Sequence, residues 1–184
     1  MNASLWDYHR RWTDEGVPVT AGVVTTLAGR PYVSGSVDGR GAAARFSGLG
    51  GITCDAAGNL YVTDDTSIRK ITPAGVVTTL AGKAGSHHSV DGRGTAARVT
   101  GLYGIARDSA GNLYVTDASN TIRMITPAGV VTTLAGKAGV WGSADGQGAA
   151  ARFDGPEGIV CDAFGTIYVA DWGNNTIRKI TLSH

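Results

Sequence analysis

The octapeptide GVVTTLAG stands at residues 22–29, again at 75–82 and again at 129–136. Val23, Val76 and Val130 set the copies 53 and 54 residues apart, and a fixed period of that size marks a repeat architecture. Other blocks keep step. DGRGAAARFSG at 38–48 returns as DGRGTAARVTG at 91–101 and DGQGAAARFDG at 145–155, and GNLYVTD at 58–64 returns at 111–117 and, as GTIYVAD, at 165–171. IRKIT at 68–72 and IRMIT at 122–126 run on through PAG into GVVTTLAG, whereas IRKIT at 177–181 is followed by LSH. The repeat set therefore opens on the piece that its last member lacks.

Each repeat reads as four strands. GGITCD is short and apolar, and the DAAGN turn after it places a glycine for positive φ. LYVTD alternates at period two, SIRKIT follows a short loop, and the Pro/Gly turn PAG leads into VVTTLAG. β-Branched residues dominate, as a pleated surface favours. Named A to D, these strands make three hairpin-linked sheets in series, which predicts an all-β fold, a β-propeller. A blade takes about 40–45 residues, and the excess falls in the D–A connection around DGRGAAAR. Residues 1–20 lie outside the repeat and 21–184 form the three blades; Leu5, Trp6, His9 and Trp12 would share one face of a short helix, read as a leader packed on the rim.

Composition excludes several functions. Sixteen Lys and Arg against 15 Asp and Glu leave a net charge of +1 with no basic run, which argues against nucleic acid and against an anionic membrane surface. No apolar stretch approaches the ~20 residues of a membrane span, so a soluble chain is expected, and a longer parent protein could carry an export signal that this sequence does not show.

GNLYVTD with NTIRMITPAGVVTTLAG, GSVDGRGAAARF and GPEGIVCD resembles bacterial NHL-repeat propellers over roughly residues 21–181. The resemblance implies blades of a ring that is usually six-bladed. The strand order D, ABCD, ABCD, ABC makes three blades, cut between C and D. Propellers typically close with four to eight blades, so the expectation is a homodimer: two chains forming one six-bladed ring, sealed at two seams by exchanged D strands.

Connectivity puts the D–A and B–C loops on one face and the short turns on the other. The variety lies on the loop face, where a rigid scaffold usually meets its ligand. His87 and His88 stand in one D–A loop, Trp141 in the next, and Trp172 in the longest B–C loop; these four are the expected ligand contacts. The residue before the strand A glycine is Gly50, Tyr103 and then Glu157. Glu157, with Tyr103 and with Arg107 near the same strand starts, is the candidate catalytic set. Glu157 and Asp171, ringed by Asp64 and Asp117 at the ends of strand B, offer carboxylates for Ca²⁺. His87 and His88 offer imidazoles for Zn²⁺. Asp38, Asp91 and Asp145, each before a turn ending in Arg45, Arg98 or Arg152, read as structural Asp–backbone or Asp–Arg contacts, as do the pairs Asp64–Arg69, Asp117–Arg123 and Asp171–Arg178. Cys54 and Cys161, at equivalent places, read as small hydrophobes between blades.

Two functions follow. The first is a binding module for a small molecule, glycan or protein on the loop face. The second is a metal-assisted hydrolase of ester, lactone or phosphotriester type, or a lyase, at the channel mouth.

Overall fold

A computed structural model of the protein describes residues 22–182. Thirteen strands form three antiparallel sheets in series, with no α-helix among the described residues. The first blade is β2 (Leu49–Cys54), β3 (Leu60–Asp64), β4 (Ser67–Ile71) and β5 (Val76–Gly82), with β1 (Gly39–Arg40) added outside β5. The second is β7 (Leu102–Arg107), β8 (Leu113–Asp117), β9 (Thr121–Ile125) and β10 (Val130–Gly136), with β6 (Gly92–Arg93) outside. The third stops at three strands: β11 (Pro156–Cys161), β12 (Ile167–Asp171) and β13 (Thr176–Ile180). The fold is a partial β-propeller whose innermost strands β2, β7 and β11 lie side by side.

Local chemistry explains the hairpins. At the A–B turns an aspartate caps the chain: Asp55 accepts from the amides of Ala57 at 3.0 Å and Asn59 at 2.8 Å, and Gly58 takes the positive φ of 77° that lets the turn close. The extra ten residues do not extend the loop face, as the strand count alone suggests. The connector descends along the outer edge, and Gly92 and Arg93 pair with Val131 and Val130 at the start of β10. It then turns through a short 3₁₀ helix, Gly94–Ala96, and climbs back between the blades. Ala97 and Val99 enter the core that joins Ile68 and Ala81 of the first blade to Leu102, Ile105 and Val115 of the second. Ala151 and Phe153 do the same between the second blade and the third.

An Asp–Arg–Asp clamp ties this connector to its blade. The fully buried Arg69 guanidinium donates to Asp64 and to Asp38, each at 2.7 Å, and to the carbonyl of Arg45 at 3.2 Å. Asp38 also accepts from the amide and hydroxyl of Thr79 on β5 at 3.1 and 3.0 Å. Arg123, Asp91, Asp117 and Thr133 repeat the arrangement. The pairs across the B–C hairpins thus form as expected. Asp38, Asp91 and Asp145, however, reach the arginine of strand C and not that of the AAAR turn. Arg45, Arg98 and Arg152 instead curl back onto the carbonyls of their own turn, where a cation meets the unpaired acceptors at short range.

Among the described residues, both ends of the sheet series are open. Residues 22–29, expected as a D strand, belong to none of the sheets; Gly29, at a φ of 94°, donates its amide to the Gly41 carbonyl at 3.1 Å. Their C-terminal half is nevertheless seated as a D strand is. Gly75 backs onto the Leu27 carbonyl as Gly129 backs onto that of Leu80, Gly29 lies against Phe46 as Gly136 lies against Phe153, and Ala28 packs on the core of the first blade. The N-terminal half projects: Val24 is 95% exposed, while its equivalents Val77 and Val131 are 1% and 0% exposed. At the other end a groove of about 600 Å³ runs beside β13, lined by Leu134, Phe153, Asp145, Ile177 and Ile180. Ile177 is 74% exposed, where Ile68 and Ile122 are fully buried. Asp145 pairs with Arg178 at 2.7 Å but has no threonine of a D strand to complete the clamp.

Removing Arg69 strands the buried Asp64 carboxylate, so Arg69→Leu should destabilise the fold by about 3–5 kcal/mol, read as a lowered urea midpoint. Acid should act through the same clamps. Burial pushes the Asp38 and Asp91 carboxyls up, but hydrogen bonds from Thr79 and Arg69, and from Thr133 and Arg123, outweigh it and hold both below the ordinary carboxylate value. A depressed folded pKa gives stability that is present above the unfolded value of about 4 and is lost as pH falls through the folded value. Urea midpoints should therefore fall steeply below about pH 4, and Asp91→Asn should flatten that dependence.

Candidate functional site

The loop-face end of the blades is built on a bulge repeated in every innermost strand. Leu49 pairs with Asp64 and Ile52 with Val62, so Gly50 and Gly51 are the irregular pair; Tyr103–Gly104 and Glu157–Gly158 are their equivalents. A bulge kinks the strand and re-aims its side chains, and Tyr103 and Glu157 are both exposed there. The second glycine is obligatory because the next blade's backbone comes close: a Cβ on Gly51 would meet the Ile105 nitrogen at 2.8 Å and the Tyr103 carbonyl at 3.0 Å.

A threonine on strand B fastens each bulge to the next. The buried Thr63 hydroxyl donates to the Tyr103 carbonyl at 2.9 Å. The Thr116 hydroxyl accepts from the Gly104 amide at 2.9 Å and donates to the Glu157 carbonyl at 2.7 Å. The third blade carries Ala170 at this position. Nothing in the composition pointed to these threonines; the signal was the single change from YVTD, YVTD to YVAD when the repeats are aligned.

Trp172 stands against Gly155, two residues before Glu157. Its backbone amide donates to the Gly155 carbonyl at 3.3 Å, a Cβ on Gly155 would lie 3.5 Å from its ring, and the indole is 71% exposed. Asn174 joins this B–C loop to the preceding connector by donating to the Gly142 carbonyl at 2.7 Å, which brings exposed Trp141 to the same loop cluster. Glu157, Trp172 and Trp141 thus come from one blade and its connector, and Tyr103 sits at the equivalent bulge one blade away. His87 and His88 are exposed on the connector between the first two blades.

Two placements differ from the sequence reading. Arg107 is at the far end of strand A, not near its start: its guanidinium lies over Gly111 and near the turn of Pro127, on the turn face, and Nε is buried without a hydrogen-bond partner. The strand carries it four residues beyond Tyr103, about 13 Å at the rise of a β-strand. Asp64, Asp117 and Asp171 do not surround Glu157. Asp171 is buried and accepts from the Asp154 amide at 2.8 Å, from Asn174 at 2.8 Å and from Arg178 at 2.8 Å. Among the described residues no three His, Cys, Asp or Glu side chains gather as a metal-ligating group, so Glu157, Asp171, His87 and His88 are not brought together within one chain. The cysteines also part ways. Cys161 is half-buried, and burial first and then the charges of Asp108 and Asp162 push its thiol up, while Cys54 is exposed at the open edge.

No family model matches the chain. It is 28% identical to an auxiliary nutrient binding protein from Bacteroides thetaiotaomicron VPI-5482, with a TM-score of 0.65 over 71% of this chain and 36% of that one. It is 31% identical to a structural genomics protein of unknown function from the same organism, with a TM-score of 0.62 over 66% of this chain and 32% of that one. It is also 27% identical over 143 residues to Teneurin-3 of Danio rerio, 66% of this chain. The chain spans about a third of the two Bacteroides proteins and 5% of that Teneurin-3. With blades of five, five and three strands in series among the described residues, it is a partial β-propeller that shares its fold with these Bacteroides structures over about two thirds of its length.

Proposed function

We propose that the chain is half of a six-bladed ring. Two copies close it by exchanging Gly22–Gly29, and the closed ring binds a small ligand at the loop-face mouth of its channel. One observation carries this: Gly22–Gly29 is seated at its C-terminal half as an outer strand and exposed at its N-terminal half, and the groove beside β13 lacks that strand. The fit is specific because the same octapeptide already fills the equivalent grooves as β5 and β10. Thr26 of the partner subunit would complete the clamp on Asp145, as Thr79 does on Asp38. Burying Val24 and Ile177 would contribute about 1.5–3 kcal/mol each at every seam. Strand exchange in a two-fold pair is a low-cost route to a dimer, and it covers two sheet edges that would otherwise invite aggregation.

The mouth suits binding. An exposed indole, a tyrosine and a carboxylate stand on rigid strands and short loops, and the closed ring presents each twice. The likeness to an auxiliary nutrient binding protein agrees with this reading. Turnover through a metal has no gathered donor set behind it among the described residues.

Light scattering should give about twice the chain mass of 18.8 kDa. Deleting residues 22–29 should abolish that dimer and lower the urea midpoint; a stable, soluble monomer of the whole chain at tens of micromolar would overturn the exchange. The Glu157 carboxylate makes no hydrogen bond among the described residues, so Glu157→Gln should leave stability within about 0.5 kcal/mol. It should weaken whatever ligand the ring takes, read by calorimetry. Undiminished binding would remove Glu157 from the site.

A further inference from the structure

The third blade departs from the other two at its loop-face end. Trp141, Asp154, Glu157 and Trp172 stand where the first repeat has Ser34, Ser47, Gly50 and Asp65 and the second has His87, Thr100, Tyr103 and Ala118. The backbone beneath is the same in all three. The amides of Asp65, Ala118 and Trp172 donate to the carbonyls of Gly48, Gly101 and Gly155 at 2.8, 3.0 and 3.3 Å. A short side chain at the Trp172 position is therefore sufficient for the blade, and the fold does not require the indole.

Trp172 and Asp154 meet at one backbone crossing. Gly173 donates its amide to the Asp154 carbonyl at 2.7 Å, and the Trp172 ring stands 3.5 Å from the Cβ position of Gly155. The Asp154 carboxylate lies against Gly173, where a Cβ would meet Oδ2 at 2.7 Å. Trp141 joins from the connector, since its backbone bridges Phe153, the residue before Asp154. These places face solvent without help from a free edge. His87, Tyr103 and Ala118 are exposed although the second blade has a neighbour on either side. Trp141 and Trp172, each 71% exposed, hold the equivalent places one blade on.

The charge there is negative. Among the described residues neither Asp154 nor Glu157 forms an ion pair. Arg178 is taken by Asp145 and Asp171, and Arg152 by the carbonyls of Ala149 and Ala151. Lys137, in the same connector as Trp141, pairs with neither carboxylate. An indole face attracts a cation through its π electrons, and nearby carboxylates add to that attraction and repel an anion. A quaternary ammonium offers methyl groups to the indole and its charge to the carboxylates.

We infer that the loop-face end of the third blade binds a small organic cation of ammonium type. Trp172 and Asp154 are its main contacts, with Trp141 and Glu157 to either side along the chain. The inference rests on the loop face being the binding face, as read above, and narrows its ligand. It does not rest on ring closure, because all four residues belong to one chain.

The test titrates the whole chain with choline, with ethanolamine and with 3,3-dimethylbutanol, an uncharged shape analogue of choline. Tryptophan fluorescence and calorimetry read binding, and light scattering on the same sample reads mass. At least one of the two cations should bind, and the tighter of them tells a quaternary from a primary ammonium. The neutral analogue should bind about tenfold more weakly than choline or not at all. Trp172→Ala should weaken the cation about tenfold with its urea midpoint unmoved, while Trp172→Phe should keep most of the binding. Asp154→Asn should weaken it about threefold at low ionic strength, a difference that added salt erases. A chain that binds neither cation at about 50 mM, or takes the neutral analogue as tightly as choline, would overturn the inference. So would binding that survives both Trp172→Ala and Asp154→Asn undiminished. A dimer with any of those outcomes leaves the ring standing, and a monomer that binds the cation overturns the ring alone.

Discussion

A guanidinium without exposed surface organises each complete blade. Arg69 and Arg123 hold one aspartate from strand B and another from the connector, and the connector aspartate in turn grips a threonine of strand D. Strands B, C and D and the remote connector are fixed around one cation. Its burial would be prohibitive without those partners, and the guanidinium is fully enclosed only where the blade has its strand D. The third blade shows the dependence in reverse. Its Arg178 keeps both aspartates but remains partly exposed, and Asp145 stands in the open because strand D is missing beside it.

The second constraint is backbone proximity. Successive innermost strands approach so closely that the bulge glycine cannot carry a side chain, and a Cβ on Gly104 would fall within the Glu157 carbonyl. The same bulge frees the residue before it to vary, and Gly50, Tyr103 and Glu157 show how far. Architecture and variability thus sit on adjacent residues: the glycine sets how closely the blades approach and its neighbour decides what the loop-face end presents.

Much of this was legible in the repeats. The period, the four alternating runs and the Pro/Gly turns were enough for a propeller, because each reflects a local rule of strands and hairpins. The offset of GVVTTLAG within the repeats marked the open edges. The fifth edge strands β1 and β6 were not legible, since a Gly–Arg dipeptide has no periodicity to read. The true partner of Asp38 was hidden for a related reason: Arg45 is near in sequence, while Arg69 is brought near only when the connector folds against strand C. Arg107 was misplaced because the run GIAR was treated as a point, when it spans the length of a strand. At the mouth, Tyr103, Glu157 and Trp172 were visible as departures from the repeat, but Ala170 was not singled out, because an alanine draws notice only when its equivalents are known to carry a working hydroxyl.

The identity of Gly22–Gly29 with β5 and β10 has a kinetic side. All three copies have the same sequence, so a groove beside strand C finds no side-chain reason to choose one over another. What distinguishes them is tethering: β5 and β10 reach their grooves through a turn of a few residues, at an effective concentration far above that of any separate strand. Tethering favours filling the internal grooves first, which leaves over the copy with no short turn leading into it. Pairing errors among identical strands are thereby resolved by loop length, an entropic sorting that needs no difference in sequence.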